Sequence, residues 1–344
     1  MSKLAALVLL TAAAVAPATG PATSRAAASK RAGTIAFIRL ADDRVFGGRL
    51  LVVRPDGSGL RSVTPLGTRT YYAWSPRGNL IAYLDERLSL WLVRPDGTGR
   101  TLLLPASRLS STSLSWSPDG KEIAITSPGA NATTASCEGE LYVVPTDGGP
   151  PVSLRAKAGC DVAWSPRGNE IAYSRGGGVF VIRPDGTGRR QVASGGGPQW
   201  SADGTQLAFG VVIHRRNRFA LGRYSAFGVV HADGTHFRVV TTHAYTEYPT
   251  AWSPRRPRIL YGRADDKGIY VIDADSRNNH RLTRDSPPQA DWSALAWSPT
   301  GGSIVYDSGR PGNTDLYVIG ADGRGKVQLT RSPDIDIDPT WVAG

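Results

Sequence analysis

A tryptophan followed by a serine, a turn and a short apolar strand recurs along this chain of 344 residues, and this repeat constrains the fold more than any other feature. Trp74–Tyr83 and Trp164–Tyr173 differ at one position, Leu80 against Glu170. Spacings of 36 to 52 residues between these tryptophans are typical of chains built from repeated supersecondary units. Seven tryptophans belong to the repeat, and serine follows all but the last of them: Trp74, Trp116, Trp164, Trp200, Trp252, Trp297 and Trp341.

A second apolar strand in each unit leads into an aspartate, which glycine follows in six copies and Ser276 in the seventh. Asp-Gly between two apolar runs predicts a tight hairpin turn, because glycine tolerates the positive φ that such turns require. A short outer strand comes next, as in RSVT at 61–64. Each unit is therefore predicted to hold four antiparallel strands. The seven aspartates are Asp56, Asp96, Asp147, Asp185, Asp233, Asp275 and Asp322.

These units predict an all-β chain folded as a seven-bladed β-propeller of four-stranded antiparallel blades. One such sheet cannot bury both of its faces, whereas sheets stacked radially cover one another and leave short edges. The strand Thr34–Phe37 has no tryptophan before it, and Trp341 has no such strand after it. The two ends therefore complete one blade if the ring closes. Six blades plus an extra partial unit is the alternative count.

The repeated Trp, Pro, Asp and Gly residues are interpreted as architecture. The aromatic ring fills the space between neighbouring blades, Ser-Pro ends the inner strand, and Asp-Gly forms a turn. Functional residues are expected in the loops that differ between blades. These loops join the second strand to the third, or one blade to the next, and they share one face of the ring, here called the variable face. The near-uniform turns occupy the opposite face, the turn face.

Two segments of the variable face carry most of the candidate binding residues. The longest insertion, 210–226, is rich in arginine, and the crossover 242–248 adds His, Tyr and Glu. Arg and Tyr are favoured interface anchors, although a solvated basic loop is the alternative. Carboxylates collect in other loops, and the alternation of DIDID at 334–338 is expected to place its carboxylates on one side. The candidates are Arg215, Arg216, Arg218, Arg223, Tyr224, His243, Tyr245, Glu247, Tyr248, Asp265, Asp266, Asp336 and Asp338.

The sequence contains none of the motifs searched for that signal hydrolysis or nucleotide binding. It has no Gly-x-Ser-x-Gly stretch and no phosphate-binding Gly-Lys-Ser/Thr loop, and its five histidines lack metal-ligand spacing. No catalytic residue and no cofactor is predicted. A calcium ion held by the carboxylates is the alternative, because Ca²⁺ takes oxygen ligands.

The N-terminus predicts export. Lys3 precedes an apolar run, Leu4–Ala16, which has the length of a signal-peptide core and is too short to cross a bilayer as a stable anchor. Residues 1–28 are interpreted as a signal peptide with cleavage between 16 and 28, and 29–344 as a single propeller domain in the periplasm or outside the cell. An uncleaved membrane tether is the alternative.

The two cysteines of the chain predict a disulfide. Cys137 and Cys160 fall in neighbouring loops of the variable face, so a disulfide between them is predicted for an exported chain.

The formal net charge is +11, but the basic residues are dispersed and lack clustering with aromatic residues. A solvated arginine surface is favoured, and no nucleic-acid partner is predicted. The chain is expected to be a monomer.

The repeat resembles that of a known family. WSPDGKEIA at 116–124 followed by LYVVPTDGG at 141–149 is similar to the WD40-like PD40 repeat of TolB-like propellers. The periplasmic TolB protein has six blades and a separate N-terminal domain, whereas seven units fill 34–341 here. The resemblance implies a propeller, and the repeat recurs in binding proteins, peptidase-linked propellers and lyases. A binding or scaffold protein that engages a protein or cell-envelope polymer is predicted; a carbohydrate-active lyase or hydrolase at the channel mouth is the alternative.

Overall fold

In the computed structural model, the regular secondary structure of the described residues is all β-strand. Inside the described ranges, the side chains of 69–70, 128, 212–225 and 247–250 are not described. No helix in those ranges is long and apolar enough to cross a membrane. The predicted signal peptide and both cysteines lie outside the described residues, so export and the disulfide stay predictions. The described residues are 32–41, 47–105, 113–128, 139–159, 161–217, 220–241, 247–263, 268–284, 295–310 and 312–343.

The described strands form seven four-stranded antiparallel sheets, which confirms the predicted seven-bladed propeller. In chain order the strands are β1 (Thr34–Leu40), β2 (Arg49–Val53), β3 (Arg61–Ser62), β4 (Thr68–Trp74), β5 (Ile81–Asp85), β6 (Leu90–Val93), β7 (Thr101–Leu104), β8 (Leu114–Trp116), β9 (Glu122–Pro128), β10 (Gly139–Pro145), β11 (Val152–Ala158), β12 (Val162–Trp164), β13 (Ile171–Arg175), β14 (Gly178–Ile182), β15 (Arg190–Ser194), β16 (Gly196–Trp200), β17 (Gln206–Asn217), β18 (Ala220–His231), β19 (Arg238–Val239), β20 (Glu247–Trp252), β21 (Arg258–Arg263), β22 (Gly268–Asp273), β23 (His280–Thr283), β24 (Leu295–Trp297), β25 (Ser303–Arg310), β26 (Asn313–Gly320), β27 (Val327–Gln328) and β28 (Ile335–Val342).

The ring closes by pairing the two ends of the chain. Blade 1 contains β28, β1, β2 and β3 from its inner to its outer strand, and blades 2 to 7 each take the next four strands in sequence, β4–β7 to β24–β27. In blade 1 the last strand lies antiparallel to the first, with Ile35 opposite Trp341. Thr34–Phe37, which has no tryptophan before it, and Trp341, which has no such strand after it, therefore belong to one blade. The six-blade alternative is wrong.

Hydrophobic side chains fill the space between neighbouring blades. On β25, Val305 packs with Phe37 and Trp341 of blade 1, whereas the next residue, Tyr306, packs with Leu260 of blade 6. Successive residues of a strand point to opposite faces of its sheet, so each blade buries both of its faces against its two neighbours.

Four of the seven repeated tryptophans link one blade to the preceding one by a hydrogen bond. The indole Nε1–H of Trp200 donates to the carbonyl oxygen of Ala163 at 2.9 Å. Ala163 directly precedes the tryptophan of the preceding blade, and the indoles of Trp116, Trp252 and Trp297 make the equivalent hydrogen bond. This geometry requires a donor at the tip of a large aromatic ring, which explains why tryptophan recurs.

The repeated aspartates hold the turns. In every unit the carboxylate Oδ1 accepts a hydrogen bond from the backbone N–H two residues further on. The following residue adopts positive φ, including Ser276 at 71°, where the other units have glycine. All seven aspartates are thus used structurally as Asx turns.

Arginines on outer strands also connect blades. Arg61 donates to the carbonyl of Pro95, Arg190 to that of Ala232, and Arg238 to that of Ala274. Each acceptor lies in the turn between the third and fourth strands of the next blade. We call Arg61, Arg190 and Arg238 the clamp arginines. Part of the positive charge predicted as a dispersed solvated surface therefore holds the ring together.

Candidate functional site

Among the described residues, the longest extension beyond the four-stranded repeat is a β-ribbon in blade 5. β17 and β18 are paired along their whole length, from Gln206 opposite His231 to Asn217 opposite Ala220. β16 pairs with β17 no further than Gly210, and β19 reaches only Gly228 of β18. Residues 211–217 and 220–226, here called the ribbon, therefore extend about 20 Å beyond the four-stranded sheet, at 3.3 Å per residue.

The ribbon is basic. Residues 210–226 contain four arginines and one histidine but no carboxylate. The register places His214 opposite Arg223 and Ile213 opposite Tyr224. Neither edge of the ribbon is paired with another described strand, so its outward backbone groups are available to a partner strand. This part of the chain is an extended cationic element with two open edges.

A second departure lies at the seam between blades 7 and 1, where a carboxyl is buried. Asp307 follows the aromatic residue of β25, and its position places it on the same face as Val305, toward blade 1. It is 5 % exposed, and its Oδ1 is buried without a hydrogen-bond partner in the described structure. Burial raises the pKa of Asp307 to about 8, and the charge of Asp338 contributes to that increase. Burial therefore favours the protonated form of Asp307.

Asp338 lies at a bulge in the inner strand β28, which contacts β25, the strand that carries Asp307. Its φ is 54°, and the pairing of β28 with β1 shifts register at this point. Burial raises the pKa of Asp338 to about 7. The side chain is nevertheless not among the fully buried ones, since it keeps partial solvent exposure on the innermost strand. The bulge interrupts the regular alternation that was expected for the DIDID segment.

Asp336, by contrast, is engaged in a closed ion pair. Its two carboxylate oxygens accept hydrogen bonds from Nε and Nη2 of Arg39 at 2.6 and 2.8 Å. The carboxylate is 0 % exposed and the guanidinium 21 %, and the hydrogen bond to Asp336 raises the pKa of Arg39. This pair joins β1 to β28 at the ring closure, so it stabilises the fold rather than offering a free carboxylate.

The seam between blades 7 and 1 contains two carboxyls with raised pKa values. A protonated carboxyl beside a second carboxyl of pKa near 7 is typical of groups that exchange protons at neutral pH. The neighbouring hydroxyl of Tyr72 lies 2.8 Å from the Ala36 carbonyl and 2.5 Å from the Asp338 carbonyl, so it is held by the backbone. Within the described residues no group of three or more His, Cys, Asp or Glu side chains could hold a metal ion.

The structure separates the predicted site residues into groups. The strands β17 and β18, which form the ribbon, contact β20 of the adjacent blade, whereas Asp336 and Asp338 lie on β28 in blade 1. The backbone is described, without side chains, for Arg215, Arg216, Arg223, Tyr224, Glu247 and Tyr248. Outside the described residues lie Arg218, His243, Tyr245, Asp265, Asp266, Cys137 and Cys160.

Sequence reasoning missed Asp307, although the signal was present. The position after the aromatic residue of the second strand is occupied in the other blades by Ile, Leu, Thr, Ser, Gly and Gly. Asp307 is the one charged residue at this position among the seven units. Aligning the seven units and comparing the residues at each position, rather than looking for motifs, would have selected Asp307.

Solved structures of propellers are similar to this chain. TolB from Acinetobacter baumannii has 13% identity and a TM-score of 0.52, with 95% of this chain and 86% of that chain covered. A putative TolB from Agrobacterium tumefaciens has 17% identity and a TM-score of 0.50 over 72% of this chain and 95% of that chain. An oligogalacturonate lyase solved in complex with manganese has 13% identity and a TM-score of 0.62 over 84% and 97%.

A scan against protein-family models finds no match, and a search of curated proteins finds none. The structural relatives include TolB proteins as well as a lyase. At these identities, the similarity shows a shared β-propeller fold with distant likeness to both.

Proposed function

We propose that this chain is an exported binding protein that engages a protein or a cell-envelope polymer through its variable face. The ribbon is the observation that carries the proposal, because it extends beyond the four-stranded sheet of its blade and its edges pair with no other described strand. The sequence 210–226, to which the ribbon belongs, contains four arginines and no carboxylate. Its partner would therefore present an acidic surface.

The form of the ribbon supports recognition of a macromolecule. An antiparallel ribbon with open edges can accept an added strand, whose backbone hydrogen bonds contribute affinity while side chains contribute specificity. Arginine forks pair with carboxylate or phosphate groups in two-point contacts. A protein strand would pair with the open backbone edges, whereas an anionic polymer would pair with the arginines. The identity of the captured partner therefore distinguishes these two modes of binding.

Crosslinked affinity capture from the cell envelope tests the proposal. In one variant, 212–225 are replaced by Asn-Gly, a two-residue turn suited to the pair Val211 and Ala226. In another, Arg215, Arg216 and Arg223 are changed to Glu. Both variants are expected to keep the melting temperature of the wild type and to lose the captured partner.

A matched control places the same charge change on the turn face. Arg54→Glu, Arg94→Glu and Arg183→Glu alter three exposed arginines in equivalent turns of blades 1, 2 and 4. This triple variant is expected to retain the partner. Equal loss in both triple variants would mean that net charge alone drives capture, and retention by the ribbon-less variant would refute the proposal.

A carbohydrate-active lyase or hydrolase is the second candidate, and the Asp307–Asp338 pair favours it. An acid that is protonated at neutral pH next to a more accessible carboxyl can supply a general acid and a general base. Turnover of cell-envelope or acidic polysaccharides by the wild type, lost in Asp338→Asn but not in Asp334→Asn, would establish this function. Turnover without any captured partner would replace the binding proposal.

A further inference from the structure

We propose a second binding site, for a small oxyanionic ligand bearing phosphate or carboxylate groups, on the turn face between blades 6 and 7. A cleft of about 470 Å³ opens there, and ligand sites typically measure about 300–1,000 Å³. Three arginines line it, Arg255, Arg256 and Arg258, together with Ser253, Trp297, Thr300, Gly301, Ala321 and Asp322. It lies on the face opposite the ribbon and does not depend on the proposed function.

Blade 6 has no clamp arginine. Blades 2, 3 and 7 also lack one, since the equivalent positions hold Thr101, Val152 and Val327. Arg190 lies opposite Val181 and Arg238 opposite Val229, and each reaches a carbonyl in the next blade. The equivalent position in blade 6, opposite Val271, holds His280. The imidazole is shorter than an arginine, and in the described structure no side chain of blade 6 donates to the equivalent carbonyl, that of Ala321. The two turns are therefore not clamped together at this point.

The arginines replace the glycine turn of the other blades. Between the first and second strands, five blades have a glycine with positive φ, at 78, 120, 168, 204 and 301. Blade 6 has Arg256 there, without positive φ, followed by Pro257. The turn instead places the N–H of Arg258 2.7 Å from the carbonyl of Arg256. The equivalent turns carry at most one arginine, Arg77 in blade 2 and Arg167 in blade 4, whereas this turn carries two consecutive exposed guanidinium groups.

The charges in the cleft leave a positive surplus. Nε of Arg258 is paired with Asp273 at 2.9 Å, which fixes this side chain in the cleft wall. Arg255 packs its stem against Gly301 of blade 7, and in the described structure neither Arg255 nor Arg256 forms an ion pair. Asp322 contributes one carboxylate, whose Oδ1 accepts from the N–H of Arg324 at 3.0 Å. Two unpaired guanidiniums therefore face one carboxylate.

An oxyanion satisfies this arrangement. A guanidinium presents parallel N–H donors that match the oxygens of phosphate or carboxylate, and two guanidiniums compensate two negative charges. The equivalent arginine in blade 4, Arg167, uses its Nε to donate to the carbonyl of Asp203 at 2.7 Å. Arg255 makes no such bond in the described structure, so its donors remain available to a ligand.

Isothermal titration of the full chain with pyrophosphate and with citrate tests the site. Saturable binding of one or both to the wild type is expected, and the preferred probe distinguishes a phosphate ligand from a carboxylate ligand. Arg255→Gln and Arg256→Gly are each expected to weaken binding about tenfold or more, since a hydrogen bond to a charged group contributes at least about that factor. Arg256→Gly restores the residue that the other blades carry, so it is expected to fold normally.

Arg77→Gln is the matched control, because Arg77 is the exposed arginine at the same turn position in blade 2. It is expected to leave both affinities unchanged and to melt with the wild type. The proposal is overturned if neither probe binds saturably, if Arg256→Gly binds as the wild type does, or if Arg77→Gln weakens binding equally.

Discussion

Replacing Asp307 by asparagine is expected to make the protein more stable at pH 8 and to leave its stability almost unchanged at pH 4. The folded-state pKa of Asp307 is about 8, against an ordinary value of 3.8. A raised carboxyl pKa means that folding favours the protonated form, so the stability from this group is complete below pH 4 and is lost as the pH rises toward 8. Asparagine stays neutral and removes that loss.

The magnitude follows from the difference between the two pKa values. Four pKa units at about 1.4 kcal/mol each give about 6 kcal/mol in total, of which about 5 kcal/mol is an upper limit for the change between pH 4 and pH 8, because each pKa lies at one end of that window. Asp338, with a pKa of about 7, titrates in the same window, so the two carboxyls share part of the effect. A gain of about 2 kcal/mol or more is therefore expected for Asp307→Asn at pH 8.

Urea unfolding at pH 4, 6 and 8 measures the effect. Asp334→Asn is the control, since this half-exposed residue lies just before β28, and its variant is expected to follow the wild-type pH dependence. The double variant Asp307→Asn/Asp338→Asn is expected to show the flattest profile. Destabilisation by Asp307→Asn of equal size at all three pH values would refute the reasoning, because it would mean that the carboxylate has a favourable partner in the folded state.

Three further predictions concern the ring. Asp336→Ala is expected to cost about 3 kcal/mol in urea unfolding, because it leaves the largely buried Arg39 without its partner; an unchanged midpoint would contradict this. Trp200→Phe is expected to cost about 1–2 kcal/mol more than Trp74→Phe, because the indole of Trp200 donates to Ala163 while Nε1 of Trp74 has no partner; calorimetric melting of both variants checks the difference. Ser276→Gly is expected to raise the melting temperature, since Ser276 holds a φ of 71° at a cost of about 1 kcal/mol, and a lower melting temperature would argue against strain at this turn.

The fold was predictable because the repeated residues are the ones that pack the blades together and form their turns. Each Trp-Ser unit identifies an inner strand, and each Asp-Gly identifies a turn, so the number of blades follows from counting. The closure was also predictable, because Thr34–Phe37 and Trp341 each lacked the partner element that every other unit has. Each of the seven blades has the same packing and turn requirements, so similar residues recur in each unit of the sequence.

The candidate sites were less predictable, because they depend on distances between elements that are far apart in sequence. Asp338 was selected from the DIDID pattern, but its neighbour Asp307 belongs to another blade and was found only in the structure. Asp336 looked equivalent to Asp338 in sequence, yet the bulge separates their environments, and Arg39 pairs with one of them. The arginine cleft was missed because it lies on the turn face, which the repeat predicts to be uniform.

The three departures from the repeat lie in consecutive blades, and each carries a local cost. The ribbon of blade 5 leaves backbone edges unpaired, Arg256 of blade 6 removes a turn glycine, and Asp307 of blade 7 is buried without a partner for its Oδ1. Violations of local rules are expected to concentrate at functional sites, where a feature that does not help folding has another use. The repeat thus provides an internal reference within a single chain. Positions that satisfy it explain the ring, and the positions in blades 5 to 7 that break it are where binding and chemistry are best sought.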